Sequence, residues 1–246
     1  MAITFPTLFS ADLTMSDGAE ILTWIDALSA PIKETVLDHM KPVRARAGSL
    51  LYERHSESKG LYLISSGNIR LFSLAPDGRE LTYKIYGPNE SFGDVAAIDG
   101  NPYPLSADAM TDCNLSFLSR ANLTALRERF PAIETALLNL TVRIARTSVM
   151  FIEEATLFPL NARIASRLSF LASSASARGE SVAELKIAQK DIGVMVGASR
   201  QAVNKVLSEF QALDLIETSY GSVRIKDRKG LLDQSMRFSS PESPNG

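Results

Sequence analysis

Side chains suited to hydrogen bonding with DNA bases are concentrated in one short stretch of this sequence. Arg200, Gln201, Asn204 and Lys205 follow Ser199 at spacings that put them on one face of a helix, with Ser199 as the expected N-cap. An arginine can make two hydrogen bonds to guanine, and a glutamine or asparagine can make two to adenine. Because an α-helix fits the major groove, this face is expected to bind the edges of base pairs.

Two predicted helices that meet at Gly197 position this face. Their apolar residues recur three and four positions apart, which gives each helix one buried stripe. The stripes contain Ile192, Met195 and Val196 in the first helix, and Val203, Val206, Leu207 and Phe210 in the second. The alternating stretch 215–226 then predicts a β-hairpin. Residues 186–226 are therefore interpreted as a winged helix-turn-helix, and the simpler alternative is a solvated helical hairpin.

The overall composition is that of an ordinary globular chain. It has 246 residues, 45% of them hydrophobic, a formal net charge of −2 and a mean hydropathy of +0.02. This length favours two modest domains over one large domain. From residue 158 onward, twelve lysines and arginines outnumber nine acidic residues, so the acidic excess lies in the first part. A basic C-terminal part suits a polyanionic partner.

Several classes of chemistry lack the residues that they need. The single cysteine, Cys113, excludes an intrachain disulfide and a four-cysteine cluster, and His39 and His55 are too few for a multi-histidine metal site. There is no P-loop, metal-ligand spacing or paired-carboxylate motif, so neither an enzyme nor a metal site is predicted. Neither a membrane span nor a signal peptide is indicated, which predicts a cytoplasmic protein without a membrane partner.

Short apolar runs punctuated by glycine fill residues 48–118. The runs at 60–64, 67–72 and 81–86 have the length of strands, and Pro76-Asp77-Gly78 marks a turn between two of them. No helical pattern separates these runs, so a parallel sheet is disfavoured. The pattern predicts an antiparallel barrel or jelly roll and, with the helices that follow, an α+β fold class.

A long helix is predicted from about Ile133 to Phe158, where Pro159 ends it. Two apolar stripes run along this helix and need two partners, which we take to be the strand domain and a second copy of the helix. The stripe assigned to the homodimer interface is Leu137, Leu140, Ile144, Ser148, Phe151 and Ala155, and the other is Leu138, Val142, Ala145, Val149 and Ile152. The alternative is a helix buried entirely within its own domain.

The order of these motifs resembles the CRP/FNR family of bacterial transcription regulators. The resemblance covers about residues 20–232 and rests on the glycine-punctuated strands, Phe92-Gly93-Asp94, the long helix, Asp191-Ile192-Gly193 and the stretch 197–203. It implies a cyclic-nucleotide-binding-type β-roll (a double-stranded jelly roll), a long dimerisation helix and a winged helix-turn-helix that binds palindromic DNA, with RNA polymerase as a further partner. The expected divisions are a sensor at 1–130, the helix and hinge at 131–159, the DNA-binding domain at 160–235 and a disordered tail at 236–246.

The resemblance also assigns roles within the helix-turn-helix. Arg200, Gln201 and Lys205 match the base-reading positions, and Gln189 and Ser199 match positions near phosphates. The expected DNA-binding set is Gln189, Lys190, Ser199, Arg200, Gln201, Asn204 and Lys205. Gln201 replaces the glutamate usual in the family. Because glutamate accepts from cytosine whereas glutamine can pair with adenine, the half-site is expected to differ from the common one.

The sensor departs further from the family. Cyclic-AMP-binding members have a Gly-Glu pair that holds the ribose, followed by Arg-Ser-Ala, whose arginine neutralises the phosphate. Here the matching residues are Gly93-Asp94 and Leu105-Ser106-Ala107. Without the arginine, cyclic-AMP binding is expected to weaken by about tenfold or more. The expected effector pocket comprises Gly93, Asp94, Val95, Leu105, Ser106, Ala107 and Ser148.

No cofactor is predicted, and the effector stays open. An FNR-type iron-sulfur cluster is excluded because the first fifty residues contain no cysteine. Haem ligation by His39 or His55 is one remaining alternative. The others are a variant pocket that still binds a cyclic nucleotide, and a ligand-binding or interaction protein that does not bind DNA.

Overall fold

Antiparallel strands build the N-terminal part. The computed structural model describes residues 23–76, 78, 80–177, 184–185 and 187–236. Within these ranges the N-terminal strands are β1 (Lys41–Ala45), β2 (Leu50–Tyr52), β3 (Gly60–Ser66), β4 (Ile69–Leu74), β5 (Glu80–Tyr86), β6 (Ser91–Phe92), β7 (Ser106–Ala109) and β8 (Cys113–Ser119). They pair in the orders β1-β8-β3-β6 and β2-β7-β4-β5, always antiparallel. This topology confirms the expected jelly roll.

Aliphatic side chains fill the space between the facing sheets of this β-roll. Alternation along each strand turns Ile64, Ile69 and Leu115 inward, and all three are buried. Cys113 lies in the same core, and its free thiol is buried.

Strand β5 carries a β-bulge where it pairs with β4. Leu71 lies opposite Lys84, but the next residue, Phe72, lies opposite Thr82, so Tyr83 is an extra residue without a partner on β4. A bulge bends its strand and turns a side chain out of the regular alternation. The bulge therefore bends β5 at Tyr83.

Short helices cover one end of the β-roll. They are a 3-10 turn (Trp24–Ala27), α1 (Ala30–Asp38), α2 (Asp94–Asp99) and α3 (Arg120–Arg129). Thr23 starts the first turn with a capping box, in which its hydroxyl and the Asp26 carboxylate each accept a backbone N–H. Trp24, Leu61 and Leu123 are fully buried in a second core between these helices and the roll.

The long helix, α4, spans Pro131–Leu157 and begins two residues earlier than the sequence pattern predicted. Pro131 occupies the first turn, where an N–H would have no partner within the helix. The helix ends before Phe158-Pro159 because proline cannot continue it.

The stripe of α4 assigned to a dimer partner packs instead against its own chain. Leu137 is 1% exposed in the core with Trp24 and Ile133, and Phe151 contacts Tyr83 and Phe170. Leu137 is therefore buried against Trp24 in its own chain, which leaves it no surface for a partner, while Phe151 is half-buried and its place in the dimer interface stays a prediction. Of the remaining members, Leu140, Ile144 and Ser148 are half-buried and Ala155 is exposed.

The other stripe of α4 is the exposed one. Leu138 is 63% exposed, Val142 43%, Val149 65% and Ile152 66%, and Ala145, between Val142 and Val149, is exposed as well. An apolar stripe left in solvent along a helix of this length marks a surface that needs a partner.

The C-terminal part is a winged helix-turn-helix with its own core. Its elements are α5 (Leu160–Ala177), β9 (Glu184–Leu185), α6 (Gln189–Val196), α7 (Arg200–Ala212), β10 (Ile216–Ser219), β11 (Ser222–Ile225) and α8 (Arg228–Met236), with sheet order β10-β11-β9. The predicted stripes of α6 and α7 are buried, including Ile192, Val203 and Phe210. Met236 ends α8, and the rest of the predicted tail, 237–246, lies outside the described residues.

Candidate nucleic-acid interface and effector pocket

The polar face of α7 is open to solvent. Arg200, Gln201 and Lys205 are exposed, whereas the apolar residues on the opposite side of the helix are buried. Ser199 is the N-cap, and its hydroxyl accepts a hydrogen bond from the Ala202 N–H at 3.2 Å, as predicted. The side chains predicted to read bases therefore lie on one helix, whose first residue is fixed by the Ser199 cap.

Asn204 differs from its neighbours on this face. It is half-buried, and its side-chain oxygen is buried without a hydrogen-bond partner among the described residues. A buried acceptor without a partner costs free energy. The Asn204 oxygen is therefore turned away from the solvent that reaches Arg200, Gln201 and Lys205.

Two glycines fix the angle between α6 and α7. Gly197 ends α6 with φ +66°, a left-handed conformation that glycine adopts without strain. The next residue, Ala198, donates its N–H to the Gly193 carbonyl at 2.8 Å. A Cβ atom at Gly193 would lie 2.7 Å from the Ala198 carbonyl oxygen, so only glycine permits this approach.

The first turn of α6 lies away from the exposed side of α7 and close to the β-roll. Gln189 is half-buried and Lys190 is exposed. Lys190 lines a cleft of about 300 Å³ whose other wall includes Arg70 and Asp108 of the roll. The residues expected near phosphates are therefore divided, with Ser199 beside the exposed face of α7 and Lys190 beside the roll.

The wing is tied to the far end of α7. Thr218 Oγ1 donates to Gln211 Oε1 at 2.7 Å, and Tyr220 stands fully exposed at the tip of the β10–β11 hairpin. Sequence reasoning predicted the hairpin but did not single out Tyr220. The sequence feature that could have identified it is an aromatic residue beside a glycine at the two-residue turn of the predicted hairpin.

The expected effector pocket has its carboxylate turned into the protein. Gly93, with φ +81°, precedes α2, and Asp94 begins it. The Asp94 carboxylate accepts hydrogen bonds from Trp24 Nε1 at 3.1 Å and from Ser91 Oγ at 3.0 Å. Burial raises the pKa of Asp94 to about 6, although these hydrogen bonds oppose the shift. Val95, the next residue, is exposed.

None of the pocket residues predicted at the start of β7, which are Leu105, Ser106 and Ala107, carries a positive charge that could pair with a phosphate. Leu105 packs against the core of the roll, and Ala107 is buried. The Ser106 hydroxyl accepts the Arg54 N–H at 3.0 Å. Ser148 Oγ donates to a carbonyl of its own helix α4 at 2.9 Å, as a small residue in a helix commonly does.

Arg70, on the outer face of β4, is already engaged. Its guanidinium donates to both carboxylate oxygens of Asp108, at 3.1 and 2.6 Å, and to Glu80 at 2.9 Å. The hydrogen bond with Asp108 is the main cause that raises the pKa of Arg70. This bidentate ion pair fixes the side chain on the outside of the sheet.

Stacked aromatic rings occupy the interior of the roll beside Leu105. The rings of Tyr52 and Tyr103 are parallel within 8° at 3.7 Å, and those of Tyr62 and Phe92 are 5.0 Å apart. Tyr103 Oη donates to the Gly60 carbonyl at 2.7 Å, which anchors the stack. Sequence reasoning missed this stack. Five of the six tyrosines lie between residues 52 and 103, and this concentration was the available signal.

These tyrosines contribute packing and not acid-base chemistry. Burial raises the pKa of Tyr62 to about 12 and that of Tyr52 well above its ordinary value. Both therefore stay neutral near pH 7.

Within the described ranges no group of three or more His, Cys, Asp or Glu side chains could hold a metal ion. His39, one of the two histidines named above as alternative haem ligands, has its Nδ1 atom 2.7 Å from the Thr35 carbonyl oxygen.

Comparison with known proteins agrees with this arrangement. The family model for the cyclic nucleotide-binding domain matches residues 42–130, and the model for the Crp-like helix-turn-helix domain matches residues 162–234. The transcriptional regulator LdrP of Thermus thermophilus is 30% identical over 182 residues, which are 74% of this chain and 90% of that protein. This chain belongs to the CRP/FNR family. It is a DNA-binding transcription regulator with an N-terminal domain of the cyclic-nucleotide-binding type.

Other relatives of this CRP/FNR regulator extend the comparison. The CRP-like cAMP-activated global transcriptional regulator of Mycobacterium tuberculosis is 28% identical over 194 residues, covering 78% of this chain and 87% of that protein. The solved structure of FixK2 from Bradyrhizobium japonicum superposes with a TM-score of 0.70 at 18% identity, covering 79% of this chain and 96% of that chain. At that identity the likeness to FixK2 shows the shared fold alone.

Proposed function

We propose that this CRP/FNR regulator acts as a homodimer on palindromic DNA and that cyclic AMP is not its effector. In this proposal residues 1–130 form the sensor, 131–159 the dimerisation helix and hinge, and 160–235 the DNA-binding domain. The observation that carries the dimer is the exposed stripe on α4.

The spacing of that stripe suits a coiled coil. Leu138, Val142, Ala145, Val149 and Ile152 follow one another at intervals of four, three, four and three residues, which is the heptad spacing of a two-stranded seam. Burial of these side chains against a second copy removes them from water at roughly 25 cal/mol per Å². By length and composition alone α4 could also cross a membrane, but an exposed dimerisation helix meets the same criterion.

A parallel pair of α4 helices would bring two winged helices to one duplex. In a twofold dimer the exposed faces of the two α7 helices meet half-sites that are about 34 Å apart, or one turn of B-DNA, and the half-sites form a palindrome. Arg200, Gln201 and Lys205 would read bases there, while Ser199, Gln189 and Lys190 would approach phosphates. Asn204, which is half-buried on the same helix, is a further predicted contact.

The pocket supports an effector other than cyclic AMP. Leu105 gives a cyclic phosphate no counter-charge, and Arg70 is held on the outer face by Asp108. The Tyr52–Tyr103 stack fills part of the interior. A ligand can shift an equilibrium only by its differential affinity for two states. To enter the roll, cyclic AMP would have to displace the stacked rings. It would do so without the ion pair between an arginine and the phosphate that stabilises the bound nucleotide in cyclic-AMP-binding relatives.

The proposal assigns no catalytic role to this chain. Its relatives are transcription regulators, and we infer that it likewise works through binding alone, in the cytoplasm, with DNA and RNA polymerase as partners and without a membrane. The alternative function is that of a ligand-binding protein that has lost DNA binding. The exposed side chains of Arg200, Gln201 and Lys205 disfavour this alternative.

Selection of bound duplexes from a random-sequence pool tests the proposal. Repeated cycles of binding and sequencing should enrich an inverted repeat whose half-sites are about one helical turn apart. Enrichment of a single unrepeated half-site would contradict the dimer, and no enrichment would favour the rival function.

A further inference from the structure

A cavity of about 380 Å³ lies at the edge of the β-roll, where β1 of one sheet is followed by β2 of the other. Each of these strands is the outermost of its sheet, so the space between the two sheets opens to solvent there. The lining of this cavity shares no residue with the expected effector pocket. Because ligand cavities in proteins begin at about 300 Å³, this one has room for a small molecule.

Apolar side chains form the inner wall of the cavity. Four half-buried residues from three strands line it and also pack against the core of the roll, namely Val43, Ala45, Leu51 and Tyr62. The Tyr62 ring is held in turn by the rings of Phe92, at 5.0 Å, and Phe117, at 4.9 Å. Leu50, at the rim, is 47% exposed. A hydrocarbon group placed here would leave water for an apolar surface that is already formed.

Two arginines line the same cavity. Arg44 and Arg46 are both exposed, and within the described part of the chain neither guanidinium has a hydrogen bond or an ion pair. The Asp112 carboxylate, which faces the same turn, accepts the Ala47 N–H at 2.9 Å. Two cations beside an apolar wall suit an anion with an apolar body.

The turn between β1 and β2 holds this arrangement in place. The Arg46 carbonyl accepts hydrogen bonds from the Ser49 N–H at 3.0 Å and from Ser49 Oγ at 2.6 Å. Gly48, with φ +79°, donates its N–H to the Ala109 carbonyl of β7 at 2.7 Å. A ligand therefore meets a backbone that is already ordered, which lowers the entropic cost of binding.

We propose that this cavity is a binding site for a small amphipathic carboxylate of the medium-chain fatty acid class. The carboxylate pairs with Arg44 and Arg46. The hydrocarbon chain lies against Val43, Leu51 and Tyr62. Since an arginine can donate two parallel hydrogen bonds to a carboxylate, two arginines favour this head group over a neutral one. The proposal depends neither on DNA binding nor on dimerisation.

Calorimetric titration of the full chain with octanoate tests the site, and octanol is the uncharged probe of the same length. Octanoate should bind saturably, one molecule per protomer, and octanol about tenfold more weakly or worse. Arg44→Gln combined with Arg46→Gln should weaken octanoate binding by about tenfold or more, because the charge-assisted hydrogen bonds are lost. Arg54→Gln combined with Arg129→Gln is the matched control. It removes two exposed arginines of the same domain from outside the cavity and should leave octanoate binding unchanged.

A second pair of variants leaves the arginines intact. Leu50→Glu adds a carboxylate at the rim and should weaken octanoate binding by about fivefold through repulsion of like charges. Leu74→Glu adds the same charge to β4 outside the cavity and should have no effect. Both leucines are exposed, so both variants are expected to fold.

Octanol binding as tight as octanoate binding would overturn the proposal. Equal octanoate affinity of the wild type, the folded arginine variant and Leu50→Glu would overturn it too. A wild type without saturable octanoate binding would also contradict the site, while leaving DNA binding by the winged helix untouched.

Discussion

The Asp94 carboxylate joins the N-terminal 3-10 turn to α2 by accepting hydrogen bonds from Trp24 and Ser91. Burial raises its pKa to about 6, whereas an aspartate in an unfolded chain titrates near pH 3.9. The folded protein therefore binds this proton more tightly than the unfolded chain does. The stability that Asp94 contributes is fully present below about pH 4 and is lost as the pH rises through about 6.

Replacement of Asp94 by asparagine should remove this pH dependence. The asparagine side chain keeps an acceptor and carries no charge, so the variant should gain stability relative to the wild type between about pH 4 and pH 6, by roughly 2–3 kcal/mol in total. Urea unfolding followed by the fluorescence of Trp24, the single tryptophan, measures the difference at each pH. A difference that stays constant with pH would show that Asp94 is ionised equally in both states.

Arg200 is the residue from which sequence discrimination is expected. Arg200→Ala should cost about 1–3 kcal/mol on the selected duplex and relax the preference at one base pair in each half-site. Lys205→Ala is the comparison, since a loss that acts through phosphate also lowers the salt dependence. Equal losses by Arg200→Ala on selected and random duplexes would mean that this side chain does not read a base.

At the scale of elements, α4 shows which part of the fold is predictable. Its existence follows from the apolar period of residues 133–158 and from Pro159. Which of the two stripes stays exposed could not be predicted from the sequence, because both are apolar at similar spacing. Trp24 and Tyr83 decide it by packing beside Leu137 and Phe151, and both are distant in sequence from α4.

A charge on the exposed stripe should separate the proposed dimer. Val149→Glu places an unpaired carboxylate in an apolar seam, which costs enough to yield monomers at micromolar concentration. Asn139→Glu is the matched control, since it adds the same charge to an exposed position of α4 outside both stripes. Sedimentation velocity distinguishes the two species. A dimer that survives Val149→Glu, with wild-type stability, would locate the interface elsewhere.

At the scale of the whole molecule, the order of the modules is readable from the sequence and their contacts are not. The winged helix and the roll can each be recognised because their apolar residues recur at the local spacing of helices and strands. Ile85 looks like any apolar residue of a strand, and its contact with the winged-helix core joins residues that are far apart in the sequence. The aromatic stack likewise requires strand pairing that brings Tyr52 beside Tyr103.

Insensitivity to cyclic AMP is the proposed property that distinguishes this regulator from its cyclic-AMP-activated relative in Mycobacterium tuberculosis. An anisotropy titration of the full chain against a palindromic duplex selected by this protein, with and without saturating cyclic AMP, tests that claim most directly. We predict the same dissociation constant in both titrations, because neither Leu105 nor Asp94 offers the nucleotide a preferred state. Binding that becomes about tenfold tighter with cyclic AMP would contradict the account.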